Sequence, residues 1–173
     1  LRLTPMAMVA NMGNASLILW SFKDSLTAGL FSWWAVMMTL ASMSLLSWFR
    51  FWHRSSTQVS CRTIRRSTVH AGVLALAWGF LPVVWFADAG HSQQLAIAAL
   101  FTGMMGAGTF VLGALPLASV AYVVVFAASA LWALARAGEP QFLAYALLVM
   151  LYAFMVLVGG ISYWRKATAL ILA

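Results

Sequence analysis

The chain has 173 residues, of which 64% are hydrophobic and 8% charged, with ten Lys/Arg against three Asp/Glu and a formal charge of +7. A soluble domain carries about a quarter of its residues charged in order to cover its surface, so this composition excludes one and sets lipid against the exterior. The positive charge gathers beside apolar runs, which points to anionic lipid headgroups as its partner and away from nucleic acid.

A spanning helix takes about 20 apolar residues, and six such stretches follow one another. The first covers 3–22 and lacks the charged start and small-residue cleavage site of a signal peptide. Asn11 and Asn14 lie three apart on it and share a helix face. An amide left unpaired in hydrocarbon is costly, so both are expected to point at another helix as interhelical bonds or, less simply, at a ligand. Lys23 and Asp24 make a short neutral turn before the second span, 28–49. Trp33 and Trp34 near one end of that span, with Trp48 and Trp52 at the other, match the aromatic belts of a single crossing.

The segment 50–66 holds five of the ten cations, Arg50, Arg54, Arg62, Arg65 and Arg66, with no acid among them. Flanked by apolar runs, it reads as a cytoplasmic loop on the membrane surface. Cys61, the only cysteine, lies within it; it excludes an internal disulfide and offers no metal spacing. Neighbouring arginines would favour its thiolate, and a juxtamembrane cysteine is a palmitoylation acceptor in eukaryotes, but a reduced thiol facing the cytosol is the simpler reading.

The third span, 68–87, contains Trp78-Gly79-Phe80-Leu81-Pro82. Proline offers no N–H and crowds the preceding turn, which predicts a kink near Trp78. Trp78 is the tryptophan placed away from any predicted interface, and it is expected inside the bundle. The fourth span, 94–114, repeats Ala99, Gly103 and Ala107 every four residues, with Gly106 and Gly108 beside them. Small residues at that spacing let helix backbones approach, inside the chain or across a dimer seam. Gly113 to Pro116 forms a tight turn into the fifth span, 117–135. Arg136 to Pro140 is a charge-balanced loop, and the sixth span, 141–163, ends at Tyr163-Trp164-Arg165-Lys166. Residues 164–173 read as the start of a connector helix. Beginning at Leu1 and ending in an apolar run, the sequence reads as part of a longer protein.

With 50–66 inside, Arg2, Arg165 and Lys166 are inside as well, giving eight cations there and two outside. Both termini are then cytoplasmic. The fold class is an all-α integral membrane bundle of six transmembrane helices forming one domain.

No Asp, Glu, Lys or Arg falls within a predicted hydrocarbon segment. Ionisable groups at depth mark function by default, so their absence argues against proton-coupled transport, intramembrane hydrolysis and a retinal Schiff base. His53 and His70 lie at the inner edge and His91 at the outer edge, which leaves no haem-spanning pair. The many methionines serve packing better than copper, since no Cys or His interleaves them at depth. Catalytic, cofactor-binding and metal-ligating residues are therefore assigned nowhere, and no cofactor is expected.

The stretch Val9-Ala-Asn11-Met-Gly-Asn14-Ala-Ser-Leu-Ile-Leu-Trp20, the Arg-rich loop, His70-Ala-Gly with Trp78-Gly79-x-x-Pro82, and Gly106-Ala-Gly108 followed by Pro116-Leu-Ala form a pattern over nearly the whole chain. It resembles the six-span membrane sensor regions of bacterial signalling proteins, those preceding GGDEF or GGDEF–EAL diguanylate cyclase output and those of hybrid histidine kinases. The resemblance implies a bacterial inner-membrane sensor and anchor, usually a homodimer, whose last helix leads into a cytoplasmic output domain. No such domain is present in this sequence, so the chain itself is not expected to be an enzyme. A non-catalytic accessory subunit of a photosynthetic or respiratory complex fits the same composition; a small-solute transporter fits it less well, for want of a convincing repeat.

Overall fold

A computed structural model describes residues 4–51, 61–112, 115–140 and 142–172. They form six α-helices, α1 Thr4–Ser21, α2 Ala28–Phe51, α3 Cys61–Trp85, α4 His91–Val111, α5 Pro116–Ala137 and α6 Phe142–Leu172, with one 3-10 turn at Lys23–Ser25. The helix ends follow local chemistry. Pro116 opens α5 at the first turn, where its missing N–H removes no helical bond. Gly138 closes α5 with φ 71°, a left-handed position that favours glycine. At the start of α4, Gln93 Oε1 accepts a 2.9 Å bond from the Gly90 N–H, covering a donor the helix leaves free.

Side-chain partners fix the direction of each helix. Along α2 and α3, Trp33 meets Ala77 while Ser44 meets His70, so the pair is antiparallel. Along α3 and α5, Gly79 faces Ser129 and the Val83 carbonyl faces Arg136, so these two run parallel. Thr102 meets Tyr152 and Phe110 meets Tyr163, making α4 and α6 parallel. The result is an up-and-down bundle. α3 packs most extensively on α5, α5 on α6 and α1 on α2, with α4 touching α1, α5 and α6.

Trp78, Leu81, Val123 and Phe126 are fully buried, which puts the α3–α5 contact at the centre. The outer surface is apolar along its length, from Met6 and Val9 on α1 to Phe154 and Met155 on α6. A soluble monomer rarely shows contiguous apolar surface on this scale. Five helices are long and apolar enough to cross a membrane: Ala28–Arg50, Thr68–Trp85, His91–Val111, Pro116–Ala137 and Phe142–Arg165. α1 is not among them. At 18 residues it is the shortest helix, and Asn11 and Asn14 within it offset the apolarity of its neighbours.

Two boundaries differ from the sequence reading. α2 extends through Arg50 to Phe51, and α3 begins at Cys61, so Arg62, Arg65 and Arg66 lie on helical turns. The run of Ser and Thr between them (55–60), together with Arg54 and His53, lies outside the described residues. α3 continues as one helix through Pro82. Its first turns are rich in arginine, a good helix former, which extends the helix beyond its apolar part.

Candidate functional site

Two packing networks hold the helices, and they differ in chemistry. The first joins α1, α2 and α3. Asn11 Nδ2 donates 2.7 Å to the Ala7 carbonyl one turn back, which fixes its amide and leaves Oδ1 free to accept from Trp78 Nε1 at 2.7 Å. Trp78 is completely buried, so its indole N–H would be stranded without this partner. Trp33 packs edge-on against Trp78, with ring centroids 5.3 Å apart, and its own Nε1 donates 2.7 Å to the Ala77 carbonyl. Pro82 lies on the same stretch of α3 and has no N–H to give the Trp78 carbonyl. Backbone and indole polar groups thus meet on the stretch of α3 where proline supplies no N–H. Further toward the other end, Ser44 Oγ and His70 Nε2 lie 2.6 Å apart, joining α2 to α3.

The second network joins α3, α4, α5 and α6 and is steric. Gly79 lies so close to α5 that an added Cβ would stand 3.1 Å from Ser129 Oγ and 3.2 Å from its Cβ. A Cβ on Gly108 would meet the Tyr122 ring, 2.7 Å from Cζ and 2.9 Å from Oη. Tyr122 stacks on Phe126 at 4.4 Å, and Phe126 packs against Phe101 at 4.7 Å. A Cβ on Gly106 would stand 2.6 Å from Tyr152 Oη, which donates to the Thr102 carbonyl at 3.1 Å. Gly160 of α6 receives Thr109 of α4, 3.0 Å from where its Cβ would be. Each glycine is a socket for a side chain of a neighbouring helix, the membrane pattern in which small residues let backbones approach.

The small residues of α4 divide between two faces. Gly106 and Gly108 face their partners, whereas Ala99, Gly103 and Ala107 are exposed, with nothing within 4 Å of a Cβ on Gly103. Asn14 also departs from Asn11. It is half-buried at a groove of about 200 Å³ lined by Leu100, Gly103, Met104 and Ala107, and its amide makes no hydrogen bond among the described residues.

The cations cluster by end. Arg50 closes α2, Arg65 lies in the second turn of α3, and Arg165 lies near the end of α6; the helix directions bring these three exposed residues to one end of the bundle. Arg62 and Arg66 share the first turns of α3, and Lys166 follows Arg165 on α6. Asp24, Asp88 and Glu139 lie at the opposite end with Lys23 and Arg136. Lys23 sits over the Trp20 ring at 5.8 Å, and Arg136 donates to the Val83 carbonyl at 3.3 Å. Among the described residues no three of His, Cys, Asp and Glu come together.

The chain matches no family model, no curated protein and no solved structure. Several residues of the packing escape a sequence reading. The Trp33 bond to Ala77, the Tyr122 socket at Gly108 and the Thr109 socket at Gly160 are examples, and so is Gln93, whose Nε2 bridges Ser25 Oγ at 3.1 Å and the Ser21 carbonyl at 3.3 Å. Only Gln93 carried a sequence cue, as an amide opening an otherwise apolar helix.

Proposed function

We propose that the chain is a sensory and anchoring module of the bacterial inner membrane, crossing it six times with both ends cytoplasmic, and that α6 passes changes in helix packing to a cytoplasmic output domain. The observation that carries this reading is the length of α6. Its 31 residues run unbroken from Phe142 to Leu172, about 46 Å at 1.5 Å per residue, against about 30 Å of hydrocarbon. The helix passes Trp164 and Arg165, the residues expected at a headgroup boundary, without a break. A continuous helix leaving the bilayer transmits rotation or displacement; a loop there would absorb it. The described cations Arg50, Arg65 and Arg165 share one end of the bundle, and the positive-inside rule, which takes such an end as the cytoplasmic one, supports the orientation.

A sensor needs two packings of similar energy that a ligand or membrane state distinguishes. The Pro82 stretch and the α4–α6 contact at Gly106 and Tyr152 are the elements on which this reading places that choice. The test joins residue 173 in frame to a diguanylate cyclase domain that is active only when paired. One to four residues are then inserted at the junction. Output should rise and fall with the helical repeat of about 3.6 residues, and Gly106→Leu should shift it. Output indifferent to both changes overturns the reading.

The second reading, a non-catalytic subunit of a larger membrane complex, is favoured by the outward face of α6, where Leu143, Leu147, Leu151, Phe154 and Met155 are exposed. Purification in mild detergent with a pigment- or haem-bearing partner in fixed ratio would establish it in place of the first.

A further inference from the structure

Three polar side chains among the described residues are buried, Thr109, Ser119 and Ser129. Two are answered within their own helices: Thr109 donates to the Met105 carbonyl at 2.7 Å, and Ser129 to the Phe126 carbonyl at 2.9 Å. Ser119 is different. It is only 6% exposed, yet its hydroxyl makes no hydrogen bond among the described residues. From this unanswered hydroxyl and the small cavity it lines, we infer that the α5–α6 contact at Gly160 holds one bound water molecule, taken up by Ser119 on one side and by the α6 backbone on the other. The inference is independent of any output domain.

The cavity measures about 10 Å³ and is walled by Pro116, Ser119 and Val120 of α5 and by Leu157, Gly160 and Ile161 of α6. One water needs roughly 10–15 Å³ of such space and two to four polar partners. The volume therefore suits a single water and nothing larger. Of the six walls only Ser119 carries a polar side chain. No fully enclosed side-chain N or O among the described residues lacks a partner, so the Ser119 oxygen keeps some surface, and the cavity is the opening it lines.

The other partners come from the main chain. Gly160 has no Cβ, which leaves the α6 backbone bare at this point, and Ser119 Oγ lies 3.8 Å from where that Cβ would stand. A helical carbonyl keeps a second lone pair after its intrahelical bond. The Ser119 O–H donates to the water oxygen, and the water donates in turn to α6 carbonyls beside Gly160. Thr109 closes the site with its methyl group, 3.0 Å from the same Cβ position, since its hydroxyl is already given to Met105. An acyl chain could not substitute, having neither donor nor acceptor. Access is short as well. Gly160 lies five residues before Arg165 on α6, about 7.5 Å at 1.5 Å per residue, so the cationic end of the bundle is less than two turns away.

The experiment uses the whole chain, isotope-labelled at glycine and serine and reconstituted in lipid bilayers, with proton magnetisation passed from water into the protein by solid-state NMR. Two references are built in. Gly79 and Ser129 face each other in the α3–α5 contact and serve as the dry interior, and Gly159, exposed beside Gly160, serves as the lipid-facing position at the same depth. Signal from water should be stronger at Ser119 and Gly160 than at any of these three. Ser119→Ala removes one oxygen and adds no bulk, so helicity should be unchanged while the Gly160 signal falls to that of Gly159. Stability supplies an independent sign. Held by water, Ser119 supports the fold and Ser119→Ala lowers the unfolding midpoint; without a partner it is an uncompensated polar group, and its removal raises the midpoint. A Gly160 signal no stronger than that of Gly159, a signal that survives Ser119→Ala, or a raised midpoint overturns the inference. A hydroxyl turned back onto the Leu115 carbonyl would show itself through the first of these.

Discussion

The α1–α3 half and the α4–α6 half of this bundle solve one problem in two ways. In lipid there is no hydrophobic force between helices, because acyl chains are as apolar as leucine, so helices associate through close packing and hydrogen bonds. The first half uses hydrogen bonds from bulky indoles: Trp78 to Asn11 and Trp33 to Ala77, with the rings stacked edge to face between them. The second half uses glycine sockets filled by Tyr122, Tyr152 and Thr109. The difference shows in composition. The first half includes α1, the one helix not long and apolar enough to cross a membrane, and the second includes α6, which buries little of its surface against the rest of the chain. Polar bonding tolerates a short helix with two asparagines. Socket packing needs none, and can therefore hold helices that expose most of their surface to lipid.

The largest effect should come from removing the centre of the first network. Trp78→Ala deletes a fully buried indole and leaves the Asn11 carbonyl oxygen without its donor. A loss of about 3–5 kcal/mol is expected for the cavity alone, measured as a fall in unfolding midpoint in mixed micelles. Gly108→Ala should rank next and belongs to the second network. Its Cβ would overlap a ring that is buried, stacked on Phe126 and bonded toward the Met104 carbonyl at 3.4 Å, so the ring has nowhere to go. Overpacking of this kind costs about 1–3 kcal/mol. If Gly108→Ala were neutral, the two halves would not differ in the way described.

A double-mutant cycle sharpens the contrast. Asn11→Leu combined with Trp78→Phe should give a coupling of about 1 kcal/mol, the scale of one interhelical hydrogen bond in a membrane. Asn11→Leu combined with Gly108→Ala should be additive within about 0.5 kcal/mol, since those residues share no partner. Coupling of equal size in both pairs would mean that the halves act as one network.

The contrast also explains what a reader of the sequence can recover. Helices of about 20 apolar residues and a glycine past a helix end are local features, and of the six spans read from the sequence five are helices long and apolar enough to cross a membrane. The end of an amphipathic or basic helix is less local: arginines 62, 65 and 66 read as loop by charge, yet their helix propensity carries α3 back to Cys61. The periodicity of Ala99, Gly103 and Ala107 marks one face of α4 but cannot say whether that face turns inward. The opposite face carries Ile97, Phe101 and Met105, all buried, and the bulkier side is the one turned to the core. Which aromatic fills which socket depends on the mutual rotation of two helices. Nothing near Gly108 in the sequence indicates Tyr122, fourteen residues on.

The smallest expected effects test that last point within a single helix. Gly103 and Gly106 lie three residues apart on α4 and are indistinguishable by composition, yet one is open and the other is a socket. Gly106→Ala would put a Cβ against Tyr152 Oη, the mobile end of a long side chain that can swing away at the cost of its 3.1 Å bond to Thr102. A loss of about 0.5–1.5 kcal/mol is expected, the net worth of one such bond. Gly103→Ala meets nothing within 4 Å and replaces glycine in a helix interior, where alanine is favoured by about 0.5–1 kcal/mol. In dilute micelles, where copies are apart, it should therefore be neutral or slightly stabilising. Opposite signs for two substitutions one turn apart would show that sockets, and not glycine flexibility, hold α4 to α6. Equal losses at both positions would mean that α4 needs its glycines for the backbone itself, and the steric account of the second half would fail.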